Sequence, residues 1–588
     1  MDRKHESGAG PRRPPLSPWR ITAVYLLPVL LASQSLPLWA QMNMPGHVME
    51  MKDQMPPDEL PEPRRMTGIG NAYMEITATP EAQAWFNQGL NLLHDFWDYE
   101  SARAFEQGIR ADPQCAMCFW GLYKAESFYH SIAQGYAAQA LAKAVGLKGK
   151  VSERERLYIA GADLRKSELW RQIVKEYPED VQAQVFLAQA VDHSESLAIL
   201  ETILKQQPEN SAGNHYYIHA LEATDHPEQA LRSAEILASL APASGHMVHM
   251  PGHIFFRLGD YARAEQSFAA ALQVDERYMH EQHVSPDNNW NYVHNLMYAI
   301  ANLMEEGKLK EATALSTKLT SARGELESTL YVYSARDSIS RLDPRLPVAL
   351  RTANWAQAIE LLNQAARPLN QTANSESRPN LSSLARQLTG FATGMQAIES
   401  RDVPKAQEAS GQFDAGLKRM SSQSESSQRS QAGPSQDAKP QLPVMPDALL
   451  QPLLGSLSVM SLELQGSLLA AQGKAADAKD LFARAAEQEK ALGYREPPGY
   501  IRPVGETRGA AMLASGDWAD ARGAYEQALL ERPRSGFALY GIALTSEKSG
   551  NSSAAAKEYA AFLSAWDHAD PALAQVRHAQ SYLAGARH

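Results

Sequence analysis

The sequence predicts an all-α fold, a superhelical solenoid of paired helices in two arrays separated by a flexible low-complexity segment. Three observations carry this expectation. Small residues, turn glycines and aromatics recur with a 34-residue spacing along much of the chain. At 588 residues the chain exceeds the size at which one compact core keeps growing. Glycine and proline fall mostly at regular intervals.

The repeat is clearest around Gly252, Gly259, Tyr261, Ala264, Phe268 and Ala271. With Gly259 as position 15, small residues stand at positions 8, 20 and 27 and aromatics at 17 and 24. Small residues let two antiparallel helices approach closely, and the aromatics fill the space beside them. The same frame passes through Trp85, Gly89, Phe105, Gly108 and Pro113, and through Gly466, Gly473, Ala478, Phe482 and Ala485. It returns at Gly509, Gly516, Trp518, Ala521 and Tyr525, and again 34 residues later at Gly550, Ala555 and Tyr559. Ala230 and Pro242 mark a unit before that of Ala264, and Gly307 and Ala312 mark one after a 14-residue insertion. The pattern resembles the tetratricopeptide-repeat (TPR) superfamily. That resemblance implies a TPR superhelical solenoid in which each unit buries its apolar face on a neighbour and the array encloses a concave groove.

Composition divides the chain. Residues 1–40 read as a signal peptide, with Arg12, Arg13 and Arg20 ahead of the apolar run Ile21–Ala32 and a small-residue cleavage point after Ala40. The protein is therefore expected to be exported, periplasmic or extracellular, and to meet a membrane only through an uncleaved signal anchor. Residues 41–79 form a Met/Pro-rich extended segment, and 80–365 an N-terminal TPR array with a His-lined groove. Residues 366–449 are expected to hold irregular helices and a Ser/Gln/Pro-rich linker, with 369–385 and 419–447 flexible. A C-terminal TPR array fills 450–588. The net charge of −11 falls by three more on cleavage, and an acidic chain without Lys/Arg blocks points away from nucleic acid. Cys115 and Cys118 are the only cysteines, and they leave a disulfide, a redox pair and a pair of metal ligands all open.

The chemistry concentrates in histidine. Nine of 17 histidines fall between His215 and His294, and their spacing says more than their number. His215 and His219 are four apart, as are His249 and His253, so each pair shares a helix face. In the repeat frame both pairs take positions 5 and 9 of a first helix, while His246 and His294 take position 2. These positions line the concave surface in TPR proteins generally, so His215, His219, His246, His249, His253 and His294 are expected on one strip. His94 is expected to face the same side, far along the array. Neutral imidazole is a common donor to Zn, Cu, Fe and Ni, and three or four histidines with an open position suit a catalytic or exchangeable ion. Glu222, Asp225 and Tyr216 are candidates for supporting hydrogen bonds. Met42, Met44, Met49, Met51 and Met55, with His47, offer soft ligands near the start of the mature chain and put copper foremost, ahead of zinc or iron. Met247, Met250 and Met297 lie beside the groove histidines in sequence. No Ser-His-Asp, phosphate-loop or HExxH pattern emerges.

His215-Tyr-Tyr-Ile-His219 and His246-Met-Val-His-Met-Pro-Gly-His-Ile-Phe-Phe-Arg-Leu-Gly259 resemble a narrower group of exported bacterial TPR proteins with HYxIH and HxxHMPxHIFxRLG motifs. Gly252 stands where serine is the more usual residue in that group. The resemblance implies no particular activity. The expected function is an exported binding protein whose His-lined groove takes a ligand, with a transition-metal ion as the sharpest version. The alternatives are a His-metal-dependent oxidoreductase or hydrolase on a TPR scaffold, and a metal-free interaction scaffold that holds a peptide or protein segment.

Overall fold

The computed structural model describes residues 56–127, 132–161, 167–286, 289–322, 339–340, 342–371, 379–431 and 451–585. The expected signal peptide, the Met-rich stretch 42–55 and residues 432–450 of the expected linker lie outside them. Among the described residues there are α-helices, short 3-10 turns and no strand.

The first run of helices is α1 (Pro80–His94), α2 (Asp98–Ala111), α3 (Ala116–Glu126), α4 (Ile132–Leu147), α5 (Glu153–Ala160), α6 (Ser167–Glu176), α7 (Val181–Ala190) and α8 (His193–Gln206). It continues through α9 (Ser211–Glu222), α10 (Leu231–Leu240), α11 (Gly245–Arg257), α12 (Tyr261–Gln282), α13 (Trp290–Glu305) and α14 (Leu309–Ala322). The second run is α15 (Leu346–Arg351), α16 (Trp355–Gln371), α17 (Pro379–Glu399), α18 (Val403–Gln431), α19 (Gln451–Ala471) and α20 (Ala475–Ala491). It ends with α21 (Val504–Ser515), α22 (Trp518–Glu531), α23 (Gly536–Lys548), α24 (Ser552–Ala565) and α25 (Ala574–Gly585). Successive helices pack as antiparallel hairpins, and the described residues form an all-α solenoid.

The repeat frame is visible as contacts. Position 8 of each hairpin meets the aromatic at position 24: a Cβ on Gly89 would lie 2.8 Å from the Phe105 ring, on Gly252 2.3 Å from Phe268, and on Gly509 2.7 Å from Tyr525. Ring against backbone is the close approach that the small residue permits. Position 15 turns the chain in a left-handed conformation, with φ between 70° and 81° at Gly259, Gly307, Gly473, Gly516 and Gly550. In the first repeat Phe96 occupies this position with φ 56°.

Residues 60–79 run extended over the first array. Asn91 Nδ2 donates to Ala72 O at 2.9 Å and Asn71 Nδ2 to Glu209 O, tying α1 to the start of α9. Composition alone points to flexibility in 419–447, yet α18 continues to Gln431. Phe413 and Met420 are buried against the α17 and α19 cluster, and Gln465 Nε2 donates to Asp414 at 3.0 Å, so the helix is anchored. Each further residue then adds a hydrogen bond to an existing turn. The stretch Leu453–Ala471 in α19 is long and apolar enough to cross a membrane, but 78% of that window is buried inside the solenoid.

The two runs meet around α13. Arg351 is fully buried and bridges Glu305 (2.8 Å) to Glu506 (2.6 Å), with Ser535 Oγ donating to Glu305 at 2.7 Å. Trp566 Nε1 donates to Glu305 O at 2.7 Å, and Asp570 N donates to Gly307 O at 3.0 Å. The late repeats are thereby seated on the early ones.

Candidate metal centre

Three capped helices carry the six histidines. Asn210 caps α9 by accepting from Gly213 N, Ser244 caps α11 by accepting from Met247 N, and Asn289 caps α13 by accepting from Tyr292 N. Such caps are worth about 1 kcal/mol each and fix where each helix begins. His215 and His219 lie on α9, His246, His249 and His253 on α11, and His294 on α13. Pro251 between His249 and His253 lacks an N–H, so the carbonyl one turn earlier has no intrahelical partner there.

The side chains converge as two trios. The ligand atoms of His215, His219 and His246 all lie within 4.8 Å of one another, and so do those of His249, His253 and His294. All six are buried, none more than 5% exposed. The groove at this level is closed.

Hydrogen bonds at Nδ1 set the tautomers. His215 Nδ1 lies 2.7 Å from His94 O, His246 Nδ1 3.2 Å from Asn291 Oδ1, and His249 Nδ1 2.7 Å from Asn295 Oδ1. The amide orientations are fixed in turn, because Asn291 Nδ2 donates to Asp275 Oδ2 at 2.8 Å and Asn295 Nδ2 donates to Phe268 O at 2.9 Å. His219 Nδ1 meets Glu222 Oε1 at 2.6 Å, and His253 Nδ1 meets Glu222 Oε2. Every partner is an oxygen without a proton to give, so each of these five Nδ1 atoms is the donor. The Nε2 atoms then present lone pairs. His215 and His246 bring theirs to 3.0 Å, and His249 and His253 to 2.6 Å. Two lone pairs cannot hydrogen-bond across such a gap, whereas a cation between them satisfies both. His219 Nε2 is buried with no hydrogen-bond partner.

Charge follows the same plan. Burial drives the pKa of His215 and of His249 well below the usual imidazole value, with His219 and His253 respectively adding repulsion. Burial likewise lowers His253, against the pull of Glu222. Burial acts to raise Glu222, but His219 and His253 outweigh it and hold the carboxyl ionised. Metal binding requires the neutral imidazole, the form that burial favours at His215, His249 and His253.

Two parts of the distant chain cover the trios. Phe96 lays its ring 4.7 Å from His215, 5.3 Å from His219 and 5.6 Å from His246. Its left-handed backbone costs about 1–2 kcal/mol over glycine. Glu496 approaches from the α20–α21 connection, with a carboxylate oxygen 3.7 Å from His294 Nε2 and 3.8 Å from His253 Nδ1. Tyr494 donates to Glu222 at 3.2 Å and lies 3.2 Å from the Tyr298 hydroxyl.

Several sequence expectations are revised by this geometry. His94 is not far along the array: its carbonyl accepts from His215, because the superhelix brings the first helix pair against α9, the start of the fifth pair. Its ring is turned aside to Tyr216 and Gln182. Tyr216 therefore serves His94 and stacks on His215, with ring centroids 5.2 Å apart. Asp225 is exposed and holds no site histidine, while Glu222 bridges two. Met247, Met250 and Met297 are core residues. Cys115 and Cys118 form a buried disulfide at the start of α3. Asn291 and Asn295 were readable, since they stand four apart on the helix of His294. Phe96, Tyr494 and Glu496 carried no local signal.

Residues 507–583 match the tetratricopeptide repeat family. No curated protein matches the sequence. The human IFIT1 dimer with PPP-AAAA is similar at 13% identity and a TM-score of 0.32, covering 83% of this chain and 96% of its own. Yeast Tom70 is similar at 10% identity and a TM-score of 0.31, covering 86% and 96%. The APC/C hetero-tetramer Cut9–Hcn1 is similar at 13% identity and a TM-score of 0.28, covering 87% and 97%.

Proposed function

We propose that this tetratricopeptide-repeat protein binds a transition metal through His215, His219, His246, His249, His253 and His294. One observation carries the reading: five of these imidazoles are locked by oxygen acceptors at Nδ1, so that their Nε2 lone pairs crowd together in a buried chamber. Copper is the foremost candidate, with zinc or iron as alternatives, and imidazole suits all three. Export through residues 1–40 and delivery of Cu(I) by the methionines of 42–55 belong to the same proposal. Three histidines per ion leave a coordination position open, which also suits an oxidoreductase or a hydrolase.

A partner-binding use of the scaffold is favoured by a different feature. A cleft of about 440 Å³ opens between α20, α21 and α22, lined by Glu487, Lys490, Arg508, Asp520 and Glu531 among others. It is accessible where the histidine chamber is not, so a peptide or protein segment would lie there. The acidic net charge argues against nucleic acid as the partner.

Metal analysis of untagged protein from the exported fraction tests the metal reading. Bound Cu, Zn or Fe is expected, and it should be lost in His219→Ala/His253→Ala protein that keeps its helical circular dichroism. Folded, metal-free wild-type protein that takes up none of the three would refute the reading.

A further inference from the structure

The six histidines do not form one ring of ligands. They divide into two trios, and no set of three histidines drawn from both meets the 4.8 Å spacing among the described residues. We infer that the site takes two transition-metal ions, one in each trio, held as a coupled pair. This rests on the metal-binding reading above and deepens it.

Each trio is complete as a three-histidine site. Metal–nitrogen bonds of about 2.0–2.1 Å with tetrahedral angles place neighbouring donor atoms about 3.3 Å apart. The 3.0 Å approach of His215 to His246 and the 2.6 Å approach of His249 to His253 need only small outward movements to reach that. The border between the trios is a single helix turn of α11, where the stacked rings of His246 and His249 have centroids 6.0 Å apart. The ions are therefore neighbours.

Glu222 joins them. Its Oε1 orients His219 of the first trio and its Oε2 orients His253 of the second. One carboxylate thus sets a ligand of each ion, and a change at either ion is felt through it at the other. The first trio lies under the apolar ring of Phe96, 4.7 Å from His215 and 5.6 Å from His246 between ring centroids. Glu496 reaches both trios, 3.7 Å from His294 Nε2 and within 4.8 Å of a ring nitrogen of His219. Three histidines leave each ion an open position for a small molecule.

The test is stoichiometry on the full-length chain, stripped with a chelator and titrated with Co(II) alone. Co(II) absorption should rise to two equivalents in the wild type. His246→Asn and His249→Asn keep a donor near the Nδ1 position while deleting Nε2, and each should bind one equivalent. His215→Asn and His253→Asn report the same two trios if either variant loses its circular dichroism spectrum. A wild type that saturates at one equivalent, with that ion lost in variants of both trios, overturns the pair while the metal-binding reading stands. A folded wild type that binds no Co(II), Cu, Zn or Fe removes both.

Discussion

Replacing Glu222 by glutamine is the most informative single change. The carboxylate accepts from His219 Nδ1 at one oxygen, and from His253 Nδ1 and the Tyr494 hydroxyl at the other. Glutamine offers one acceptor oxygen and one NH2. If the oxygen serves His219, the NH2 faces the N–H of His253, and the reverse arrangement faces it with His219. Two donors repel, so one imidazole must carry its proton on Nε2 and withdraw that lone pair from its trio. Loss of an outer partner of a ligating histidine costs about 10–100-fold in metal affinity, which is about 1.4–2.8 kcal/mol. The loss should fall mainly on one ion, because glutamine still satisfies one histidine. Competition with a chromophoric chelator reads the two affinities, and a thermal melt checks the fold. A folded Glu222→Gln protein with both affinities unchanged would show that the tautomers are not set by this carboxylate.

Three further outcomes are expected. Arg351→Met should destabilise the protein by about 3–5 kcal/mol in chemical denaturation, since it strands Glu305 and Glu506 as buried charges. A loss under about 1 kcal/mol would mean that water reaches them. Gly252→Ser, the residue more usual in the similar motif, places a Cβ about where the Phe268 ring edge lies at 2.3 Å, and a cost of about 1–3 kcal/mol should appear in the melting temperature. An unchanged melting temperature would contradict that packing. The third outcome concerns pH. Burial raises Glu463 to about 7 from 4.5, and Glu489 to about 8. The folded protein therefore holds protons there that the unfolded chain has released, so stability should fall as pH rises from 4.5 to about 8. Glu463→Gln should flatten the slope, and an equally steep profile in that variant would assign the dependence elsewhere.

What was legible follows from how a repeat maps sequence onto space. Histidines 34 residues apart at positions 5 and 9 converge because the frame that aligns Gly252 with Phe268 also aligns neighbouring first helices. Glu222 was readable because it is three residues beyond His219 on the same helix. The division into two trios was not, since it depends on which way each ring turns, and that is decided by Asn291, Asn295 and the His94 carbonyl. Phe96 and Glu496 were invisible for another reason. Each reaches the chamber through closure of the superhelix, and periodicity within one hairpin holds no record of which distant turn it will meet.

Tyr494 touches Glu222 from 272 residues further along the chain. That span removes a freedom repeat proteins usually enjoy, in which units can be added or deleted with only neighbours affected. Inserting or removing one hairpin between α14 and α20 would carry Tyr494 and Glu496 past the chamber altogether. It also orders events during biosynthesis: the ribosome has passed residue 496 before the chamber can acquire its last wall, so a nascent or truncated chain exposes the imidazoles that the finished protein encloses.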